Sequence, residues 1–234
     1  RTYFGDGKKW NVSIEYVNQG RPSGTAHAVG MVEPFVDDFV VLCGDTIFGK
    51  EDIKQVTGKK ISIGLTEVED AKEYGVAELD NNKLVRIHEK MEKPFSNIIN
   101  AGIYHFDKSV FDFIKQTEKS PRGEYEITDS INSMIKEFDI EGVFLKEWMD
   151  VVYPWHLLDA NGEILKKMKG KNEGLVEKNA VLKGEVVVGR GSKIMNGSYV
   201  EGPAIIGENC RIGPNCYIRP YTSIGNNCHV GNAC

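Results

Sequence analysis

The fold of the second half of the chain is decided by residues 176–234, which read VEKNAVLKGEVVVGRGSKIMNGSYVEGPAIIGENCRIGPNCYIRPYTSIGNNCHVGNAC. An aliphatic residue occupies every sixth position of this stretch, without a break over ten repeats. With apolar residues at ~45–50% of a typical chain, ten such hits in one register arise by chance on the order of once in a thousand trials. We call these the lead positions: Val176, Leu182, Val188, Ile194, Val200, Ile206, Ile212, Ile218, Ile224 and Val230.

A second set of positions lies four residues after the lead positions and carries small side chains. Neither the 3.6-residue period of a helix nor the two-residue period of a strand gives such a repeat. Short repeats are typical of parallel β-helices, in which stacked coils bury one aliphatic column. Glycine and asparagine fall between the inward positions, and both tolerate the positive φ that repeated sharp corners require. The small residues are Ala180, Val186, Ser192, Ser198, Ala204, Cys210, Cys216, Thr222, Cys228 and Cys234.

The repeat resembles the hexapeptide repeat of the left-handed parallel β-helix acyltransferase superfamily, in which three hexapeptides form one triangular coil. This resemblance implies that residues eighteen apart stack, so that Cys210 lies on Cys228 and Cys216 on Cys234. Zinc or disulfide roles are the alternatives for these cysteines, but spacings of six, twelve and six residues fit neither pattern. We interpret the cysteines as compact packing residues and predict a reducing, cytoplasmic compartment.

Composition limits the class of protein. The chain has 234 residues and a net charge of −5, which indicates a soluble globular protein of one or two domains. It lacks an apolar run of eighteen residues, so we predict no membrane span, and the acidic balance argues against nucleic acid as a partner. Because the chain starts at Arg1 without an initiator Met or a signal-like segment, we interpret it as a fragment or a processed chain.

The first part of the chain, residues 1–153, alternates strand and helix signals, which predicts a layered α/β sheet covered by helices. A predicted helix at Pro154–Lys169 and a polar hinge at Gly170–Gly174 form a connecting segment, 154–175, before the repeats of 176–234. Strands are predicted at Trp10–Val17, Phe39–Cys43, Ile61–Val68 and Val143–Lys146, helices at Thr25–Val32, Lys108–Gln116 and Ile127–Phe138, and a hairpin turn at Leu79–Leu84.

One strand of this part ends in a candidate ligand site. Val40–Cys43 is apolar and leads directly into Gly44 and Asp45. Ligands of open α/β sheets gather outside the carboxyl ends of the strands, Gly44 permits a close approach to the backbone, and a carboxylate suits a hard cation. The alternative is an ordinary strand-ending turn, since Gly-Asp is common in loops.

Six segments in one order identify the chain as a member of the sugar-1-phosphate nucleotidylyltransferase family by resemblance. With the repeats attached, it is similar to two-domain archaeal and bacterial enzymes that combine nucleotidyl transfer with sugar-phosphate acetylation. The resemblance implies an α/β fold class, with a partial Rossmann-like nucleotidyltransferase domain, a mixed sheet with flanking helices, followed by a left-handed β-helix. The segments are Gln19–Ala28, Gly44–Asp45, Tyr74–Val76, Glu89–Lys90, Asn100–Tyr104 and Trp148–Asp150.

The resemblance assigns nucleotide contacts to Gln19, Gly24, Thr25 and Gly44, with UTP or dTTP as the nucleoside triphosphate. The amide of Gln19 offers a donor and an acceptor to a uracil-like edge, and Gly24 permits close backbone approach. A second interpretation, compatible with the first, is that Thr25 caps the start of its own helix.

The resemblance also assigns two Mg²⁺ ligands, Asp45 and Asp150, since Mg²⁺ prefers a few carboxylates together with phosphate oxygens. A sugar-1-phosphate oxygen is expected to attack the α-phosphate and to release pyrophosphate, while the metal and Lys90 neutralise the developing charge. We therefore expect Asp45, Lys90 and Asp150 to be the catalytic residues, and catalysis to consist of positioning and electrostatics.

The sugar-phosphate side of the site is assigned to Gly75, Glu89, Lys90 and Asn100. A carboxylate and an amide suit sugar hydroxyls, which need both donors and acceptors, and Lys90 is expected to face the phosphate. The alternative for Glu89 and Lys90 is a solvated charge pair at a strand end. Thr128-Asp129 also matches a family segment, although capping of the following helix explains it equally well.

Departures from the family pattern bear on activity. Cys43 stands where Tyr is frequent and Met91 where Pro is usual, which affects sugar and base preference more than the fold. The Gly-rich, Arg-bearing loop that opens the family is expected upstream of Arg1, so this chain alone is expected not to turn over nucleotide.

Arg219 resembles an acetyltransferase half-site residue that binds phosphate, with a salt bridge between coils as the alternative, whereas His229 is expected to face outward.

Three functions stay open at this point. The first is transfer of a nucleotidyl group to a sugar-1-phosphate. The second is sugar-phosphate N-acetyltransfer from acetyl-CoA, supported by Arg219, and the third is a non-catalytic regulatory or assembly paralogue, which the pair Asp45 and Asp150 disfavours. Relatives with this β-helix pack as trimers, so we expect a homotrimer.

Overall fold

The computed structural model describes residues 1–234, which divide into two compact units, Arg1–Met149 and Asp150–Cys234. Each unit is considered by itself. No helix in either unit has the length and apolar character that a membrane crossing requires.

The first unit contains a mixed six-stranded sheet of order β1-β6-β3-β7-β5-β4, together with a two-stranded sheet of β2 and β8. Within the large sheet β3 pairs with β7 in parallel, and every other pairing is antiparallel. The strands are β1 Asp38–Leu42, β2 Thr46–Phe48, β3 Ser62–Glu67, β4 Gly75–Asp80, β5 Lys83–Glu89, β6 Ile98–Asp107, β7 Glu141–Phe144 and β8 Trp148–Asp150. The helices are α1 Thr25–Gly30, α2 Lys50–Thr57, α3 Val110–Gln116 and α4 Ile127–Met134, with 3-10 turns at Lys8–Trp10 and Glu33–Phe35.

Strand β6 carries the core because apolar side chains cover both of its faces. Tyr104 and Phe106 pack into the larger apolar cluster, which includes residues of α1, α3 and α4. Ala101 and Ile103 point to the opposite face, where Val56 of α2 covers them. Alternation of side chains along a strand produces this division. Full burial of each large apolar side chain contributes about 1.5–3 kcal/mol, so β6 is the best anchored strand of the unit.

Most predicted elements of this unit are confirmed with shorter bounds. The strands predicted at Phe39–Cys43, Ile61–Val68 and Val143–Lys146 correspond to β1, β3 and β7, and the three predicted helices to α1, α3 and α4. The predicted hairpin turn is also confirmed, since Asn81 and Asn82 connect β4 to β5 with φ of 48° and 68°. Positive φ at both central residues is the geometry that matches the twist of a hairpin.

The strand predicted at Trp10–Val17 is wrong. Lys8–Trp10 forms a 3-10 turn, Asn11 has a φ of 58°, and no strand lies beside residues 12–17. Val12 and Tyr16 remain 54% and 40% exposed. The apolar alternation is present, but a strand also needs a partner for its backbone groups, and alternation alone does not supply one.

The second unit starts with helix α5, His156–Lys166, which confirms the helix predicted at Pro154–Lys169. A parallel β-solenoid of three sheets follows, with orders β10-β13-β16-β19, β11-β14-β17 and β18-β15-β12-β9. Its strands are β9 Lys171–Asn172, β10 Leu175–Val176, β11 Val181–Lys183, β12 Val186–Val188, β13 Lys193–Ile194, β14 Tyr199–Glu201, β15 Ala204–Ile206, β16 Arg211–Ile212, β17 Tyr217–Ile218, β18 Thr222–Ile224 and β19 His229–Val230.

The eighteen-residue stacking is confirmed by the strand registers. Val188 pairs with Ile206 and Ile206 with Ile224, in steps of eighteen residues. The lead positions from Val188 to Ile218 are buried and form one apolar column. The polar hinge predicted at Gly170–Gly174 is corrected, because β9 lies inside it and pairs with β12. The main chain there joins the first coil, which the polar side chains do not reveal.

The small inward column holds serine at two positions and cysteine at four. The packing role predicted for cysteine is confirmed at Cys210 and Cys216, which are buried. Cys228 is half-buried and Cys234 is exposed, and all of these thiols are free. Ser192 shows how the column satisfies the backbone, since its Oγ donates to Gly207 O at 2.6 Å and accepts from Cys210 N at 2.8 Å.

Candidate active site

A cavity of about 510 Å³ lies at the carboxyl end of β1, and three of the predicted site residues line it: Thr25, Gly44 and Asp45. The strand end and the start of α1 therefore face one space, as the rule for open α/β sheets predicts. The rest of the lining is mainly apolar, which suits a flat aromatic ligand with a few polar contacts. These remaining residues are Ala28, Val29, Val41, Leu42, Cys43, Tyr104 and Ile127.

The backbone at Gly44 is open to a ligand. A Cβ atom built on Gly44 would meet no atom within 4 Å, and Asp45 beside it is exposed. Strand β2 starts one residue after Asp45, and its partner β8 ends at Asp150, the first residue of the second unit. Strand β8 is attached to the large sheet through Trp148, whose indole Nε1 donates to Ala101 O at 2.9 Å.

The loop before α1 is held tightly by the backbone of Tyr125. Gly24 has a φ of 113°, and a Cβ atom there would lie 2.6 Å from Tyr125 N and against Tyr125 O. Ala26 N donates to Tyr125 O at 2.9 Å, and Tyr125 N donates to Ser23 O at 2.8 Å. The backbone that approaches Gly24 most closely is thus that of Tyr125, and only glycine fits there.

Both predicted caps are wrong. Thr25 is the first residue of α1 behind Gly24, and its Oγ1 instead accepts from Ile127 N, the first amide of α4, at 2.9 Å. Thr128 lies inside α4, and its buried Oγ1 has no hydrogen-bond partner. The first amide of α4 is capped by Thr25, which is distant in the sequence, and not by Thr128.

Gln19 forms two hydrogen bonds through one atom. Its Nε2 donates to Gly24 O at 3.1 Å and lies 3.0 Å from Nδ1 of His27. Gln19 is half-buried, so these bonds fix its side chain next to the loop that leads into Thr25. His27 itself lines a second cavity of about 490 Å³, on the other side of α1, with Ser23 and Tyr125.

The residues predicted for the sugar meet on neighbouring strands. Gly75 of β4 pairs with Glu89 of β5, and a Cβ atom on Gly75 would lie 3.1 Å from Glu89 Oε1. On the other side of β4, Val76 pairs with Ile99 of β6. Because these strands are antiparallel, the neighbouring residues Gly75 and Asn100 face each other in the same register. Three residues distant in sequence therefore form a row across three strands.

Tyr104 connects this row to the first cavity. Asn100 Nδ2 donates to the hydroxyl of Tyr104 at 2.7 Å, and Asn100 Oδ1 accepts from Gly102 N at 3.1 Å. Tyr104 also lines the cavity of Asp45. The sequence interpretation gave Tyr104 no role, although residues four apart on a strand share a face and Asn100 was already assigned.

Burial controls the protonation of two cavity groups. It raises the pKa of the Tyr104 hydroxyl above its usual range, with a further contribution from Cys43. Burial, followed by the charge of Asp45, also raises the pKa of the Cys43 thiol. Tyr104 is therefore a neutral hydroxyl that can hold Asn100, and Cys43 acts as an apolar wall of the cavity.

Tyr104→Phe is expected to reduce the loss of stability at high pH. The unfolded chain releases a tyrosine proton near pH ~10, before the folded chain releases that of Tyr104. The contribution of Tyr104 to the free energy of unfolding is therefore complete below pH ~10 and falls above it. Denaturant midpoints at pH 8 and pH 11 measure the effect, with the exposed Tyr3→Phe as the control. Equal pH-dependent losses in Tyr104→Phe and wild type would contradict the prediction.

Lys90 stands in an unusual backbone conformation. Its φ is 43°, and its backbone N donates to Tyr74 O at 3.1 Å, while its Nζ lies 3.5 Å from Glu73 Oε2. A non-glycine residue in the left-handed region costs about 1–3 kcal/mol and is frequent at functional sites. The long ion pair leaves the exposed ammonium able to bind another anion.

The profile of the Nucleotidyl transferase family matches residues 1–167, and that of the bacterial transferase hexapeptide, a family of six repeats, matches residues 203–234. The chain belongs to the nucleotidyl transferase family. Members of this family generally use a divalent metal. In the described chain, no group of three or more His, Cys, Asp or Glu residues could hold a metal ion.

Similar nucleotidyl transferases include two curated archaeal proteins. The bifunctional protein GlmU of Methanocaldococcus jannaschii is 42% identical over 182 residues, covering 76% of this chain and 44% of that protein. The bifunctional sugar-1-phosphate nucleotidylyltransferase/acetyltransferase of Sulfurisphaera tokodaii is 38% identical over 182 residues, covering 76% and 45%. The chain thus spans about half the length of the curated relatives it matches.

A solved nucleotidyl transferase structure agrees with the fold. A Bacillus anthracis protein assigned as a glucose-1-phosphate thymidylyltransferase, in complex with sucrose, is 32% identical with a TM-score of 0.63, covering 73% of this chain and 72% of that one. This supports the α/β fold with a mixed sheet, and the hexapeptide match supports the parallel β-solenoid.

The solenoid of this nucleotidyl transferase carries the predicted Arg219 on its outside. Arg219 is exposed directly after β17 and has no ion pair within the chain, so the salt bridge considered for it is not formed. Tyr217 donates its hydroxyl to Glu201 Oε2 at 2.7 Å on the neighbouring coil. The outward position expected for His229 is confirmed.

Proposed function

We propose that the chain binds UTP or dTTP and a sugar-1-phosphate for transfer of the nucleotidyl group. The observation that carries this proposal is the cavity that Thr25, Gly44 and Asp45 line together. Its apolar walls suit a base and its carboxylate suits a metal–phosphate group. The names of the M. jannaschii and S. tokodaii relatives support the same class of reaction.

In the proposed reaction, an oxygen of the sugar-1-phosphate forms a bond to the α-phosphorus of the nucleotide, and the bond to pyrophosphate breaks. Asp45 and Asp150 would hold Mg²⁺, which neutralises phosphate charge when it is bound. Carboxylate oxygens fit this ion, and Asp45 is exposed beside open backbone. Lys90 holds the sugar phosphate, and no proton transfer is required of the protein because the attacking oxygen is already ionised.

The sugar would lie along the row of Gly75, Glu89 and Asn100. Glu89 accepts hydrogen bonds from sugar hydroxyls, and Asn100 keeps one amide hydrogen and part of its oxygen free after its bonds to Tyr104 and Gly102. Gly75 leaves room where a side chain would meet Ile87 and Glu89. Because Tyr104 contacts Asn100 and lines the cavity, the proposed sugar and nucleotide sites are contiguous.

Calorimetric titration of this chain tests the proposal. UTP and dTTP are expected to bind with Mg²⁺ and to bind at least tenfold more weakly when the ion is chelated, while ATP and GTP bind more weakly throughout. Glucose-1-phosphate and N-acetylglucosamine-1-phosphate serve as the sugar probes in the presence of UTP. If no nucleoside triphosphate binds at millimolar concentration, the proposal is wrong and a non-catalytic paralogue is the better interpretation.

A second candidate is sugar-phosphate N-acetyltransfer from acetyl-CoA in a homotrimer. The hexapeptide match and the exposed Arg219 without an ion pair favour it. A guanidinium binds phosphate by two parallel hydrogen bonds, so Arg219→Lys would weaken sugar-phosphate binding to the solenoid while leaving UTP binding unchanged. This separation distinguishes the two candidates.

A further inference from the structure

Strand β5 carries two of the proposed sugar-site residues, Glu89 at its end and Lys90 directly after it. Along one edge β5 pairs with β4 from Lys83 to Glu89, whereas β7 pairs with the other edge at Lys83 alone. Backbone groups on the second edge, toward the end of β5, therefore need partners other than a strand.

Asn132 of α4 is such a partner. Its Nδ2 donates to Ile87 O at 2.8 Å, and its Oδ1 accepts from Ile87 N at 2.8 Å. Because a backbone N–H only donates and a carbonyl oxygen only accepts, these two bonds also fix which end of the Asn132 amide is the oxygen. One side chain thus supplies both of the bonds that a neighbouring strand would have made at Ile87.

Ile87 in turn lies beside the carboxylate of Glu89. The two residues are two apart on a strand, so their side chains share one face of β5. A Cβ atom on Gly75 would lie 2.9 Å from Cγ2 of Ile87 and 3.1 Å from Oε1 of Glu89, so both side chains border the same gap in β4. The Ile87 side chain is 2% exposed and packs in the apolar cluster that includes Ile127 and Ile131 of α4. Backbone and side chain of Ile87 are therefore both held by α4.

The short segment from Ile87 to Lys90 is fixed at both ends. Asn132 holds Ile87, and Lys90 N donates to Tyr74 O at 3.1 Å. Glu89 lies between these two points and is exposed. The position of its carboxylate thus depends on how firmly the backbone on either side is held.

We propose that Asn132 is a positioning residue that acts through Ile87 to hold Glu89 and Lys90 in place for the sugar-1-phosphate. This inference rests on the proposed function, in which Glu89 accepts hydrogen bonds from sugar hydroxyls and Lys90 binds the phosphate. Asn132 itself does not touch the substrate. A small displacement of β5 is enough to lengthen the bond from a sugar hydroxyl to Glu89.

The nucleotide side depends on a different residue of the same helix. Ile127 lines the cavity of Asp45, and its backbone N donates to Oγ1 of Thr25 at 2.9 Å. This bond is made at the first turn of α4 and does not involve Asn132. Loss of the Asn132 side chain is therefore expected to weaken binding of the sugar-1-phosphate without weakening that of UTP.

Asn132→Ala tests the inference, because it removes both bonds to Ile87 and introduces the residue with the highest helix propensity. The probe is glucose-1-phosphate or N-acetylglucosamine-1-phosphate, whichever binds wild type more tightly, titrated calorimetrically in the presence of UTP and Mg²⁺. It is expected to bind about tenfold more weakly, the ratio that one hydrogen bond to a charged group supports. UTP alone is expected to bind as it does to wild type.

Asn132→Asp is the second variant and carries the test if Asn132→Ala does not fold. The carboxylate still accepts from Ile87 N but has no hydrogen to donate to Ile87 O. It is expected to weaken binding of the sugar-1-phosphate about threefold, half of the effect of Asn132→Ala on the free-energy scale. UTP binding is again expected to be unchanged.

Ser130→Ala is the matched control on the same helix. Ser130 is buried, and its Oγ lies 2.6 Å from Oγ1 of Thr117 at the end of α3, so the bond that it loses does not involve β5. This variant is expected to lower the urea midpoint and to leave binding of the sugar-1-phosphate unchanged. If Asn132 only stabilised the fold, Asn132→Ala would weaken both ligands together or neither, and that result overturns the inference.

Amide hydrogen exchange adds a readout without ligand. The Ile87 amide is expected to exchange faster in Asn132→Ala than in wild type, while the amides of β6 keep their protection. Unchanged protection of Ile87, or an unchanged ratio of sugar-1-phosphate to UTP affinity, overturns the inference and leaves the proposed function standing. If wild type binds neither sugar probe in the presence of UTP, the proposed sugar site fails, and the inference fails with it.

Discussion

Asp45→Asn is expected to weaken Mg²⁺-dependent UTP binding about 100-fold. The amide keeps the shape of the side chain but removes the charge that attracts a hard cation. Loss of residues that only support a metal ligand already reduces metal affinity 10–100-fold, so loss of a direct ligand belongs at the upper end of this range. At 1.4 kcal/mol for each tenfold change, the effect corresponds to about 2.8 kcal/mol.

Chelation provides the internal comparison for this variant. Wild-type chain without Mg²⁺ and Asp45→Asn with Mg²⁺ are expected to bind UTP with similar affinity, because both lack the same interaction. Asp112→Asn makes the same chemical change on the exposed side of α3 and is expected to leave UTP binding unchanged. If Asp45→Asn keeps its full response to Mg²⁺, Asp45 does not bind the ion.

Gly207→Ala is expected to destabilise the solenoid by about 2–3 kcal/mol. A Cβ atom on Gly207 would lie 2.7 Å from the carbonyl carbon of Gly225 and 2.8 Å from Asn226 N, on the next coil. It would also press on Asn226 Oδ1, which accepts a hydrogen bond from Glu208 N at 2.7 Å. The obstacle is backbone and cannot rotate away, so the coils have to separate, and overpacking of this kind usually costs about 1–3 kcal/mol.

Gly225→Ala is the matched control, at the equivalent position one coil later. A Cβ atom there would meet nothing within 4 Å. Without a clash, alanine reduces the freedom of the unfolded chain, so Gly225→Ala is expected to be neutral or to stabilise by ~0.4–1 kcal/mol. Urea denaturation and hydrogen exchange at the β15 amides measure both variants. Equal effects of the two substitutions would show that contact between coils is not the cause.

The solenoid could be predicted from sequence because its determinants are local and repeated. Every lead position adds the same information, and ten of them fix both the strands and the stacking. Helix α2 was not predicted, since its sequence is mainly polar and carries only two large apolar residues, Ile53 and Val56. Its buried Asp52 accepts hydrogen bonds from Lys146 N and Glu147 N, about ninety residues away. No local pattern carries such a contact.

The candidate site was predicted in part, and the limit is again distance along the chain. The order of the family-like segments along the sequence predicted Thr25, Gly44 and Asp45 as site residues, and these three line one cavity. The partners of such residues depend on tertiary contacts, as in the bond from Ile127 N to Thr25 that replaced the expected cap.

The column of thiols in the solenoid has a consequence for how its coils come apart. Contacts in a repeat array are confined to neighbouring coils, so fraying advances one coil at a time. Accessibility follows the same direction, from the exposed Cys234 through the half-buried Cys228 to the buried Cys216 and Cys210. A reagent that alkylates sulfur would therefore reach the buried Cys210 and Cys216 only after their coils have separated. The extent of alkylation at each cysteine thus measures how far the coils of the solenoid have separated.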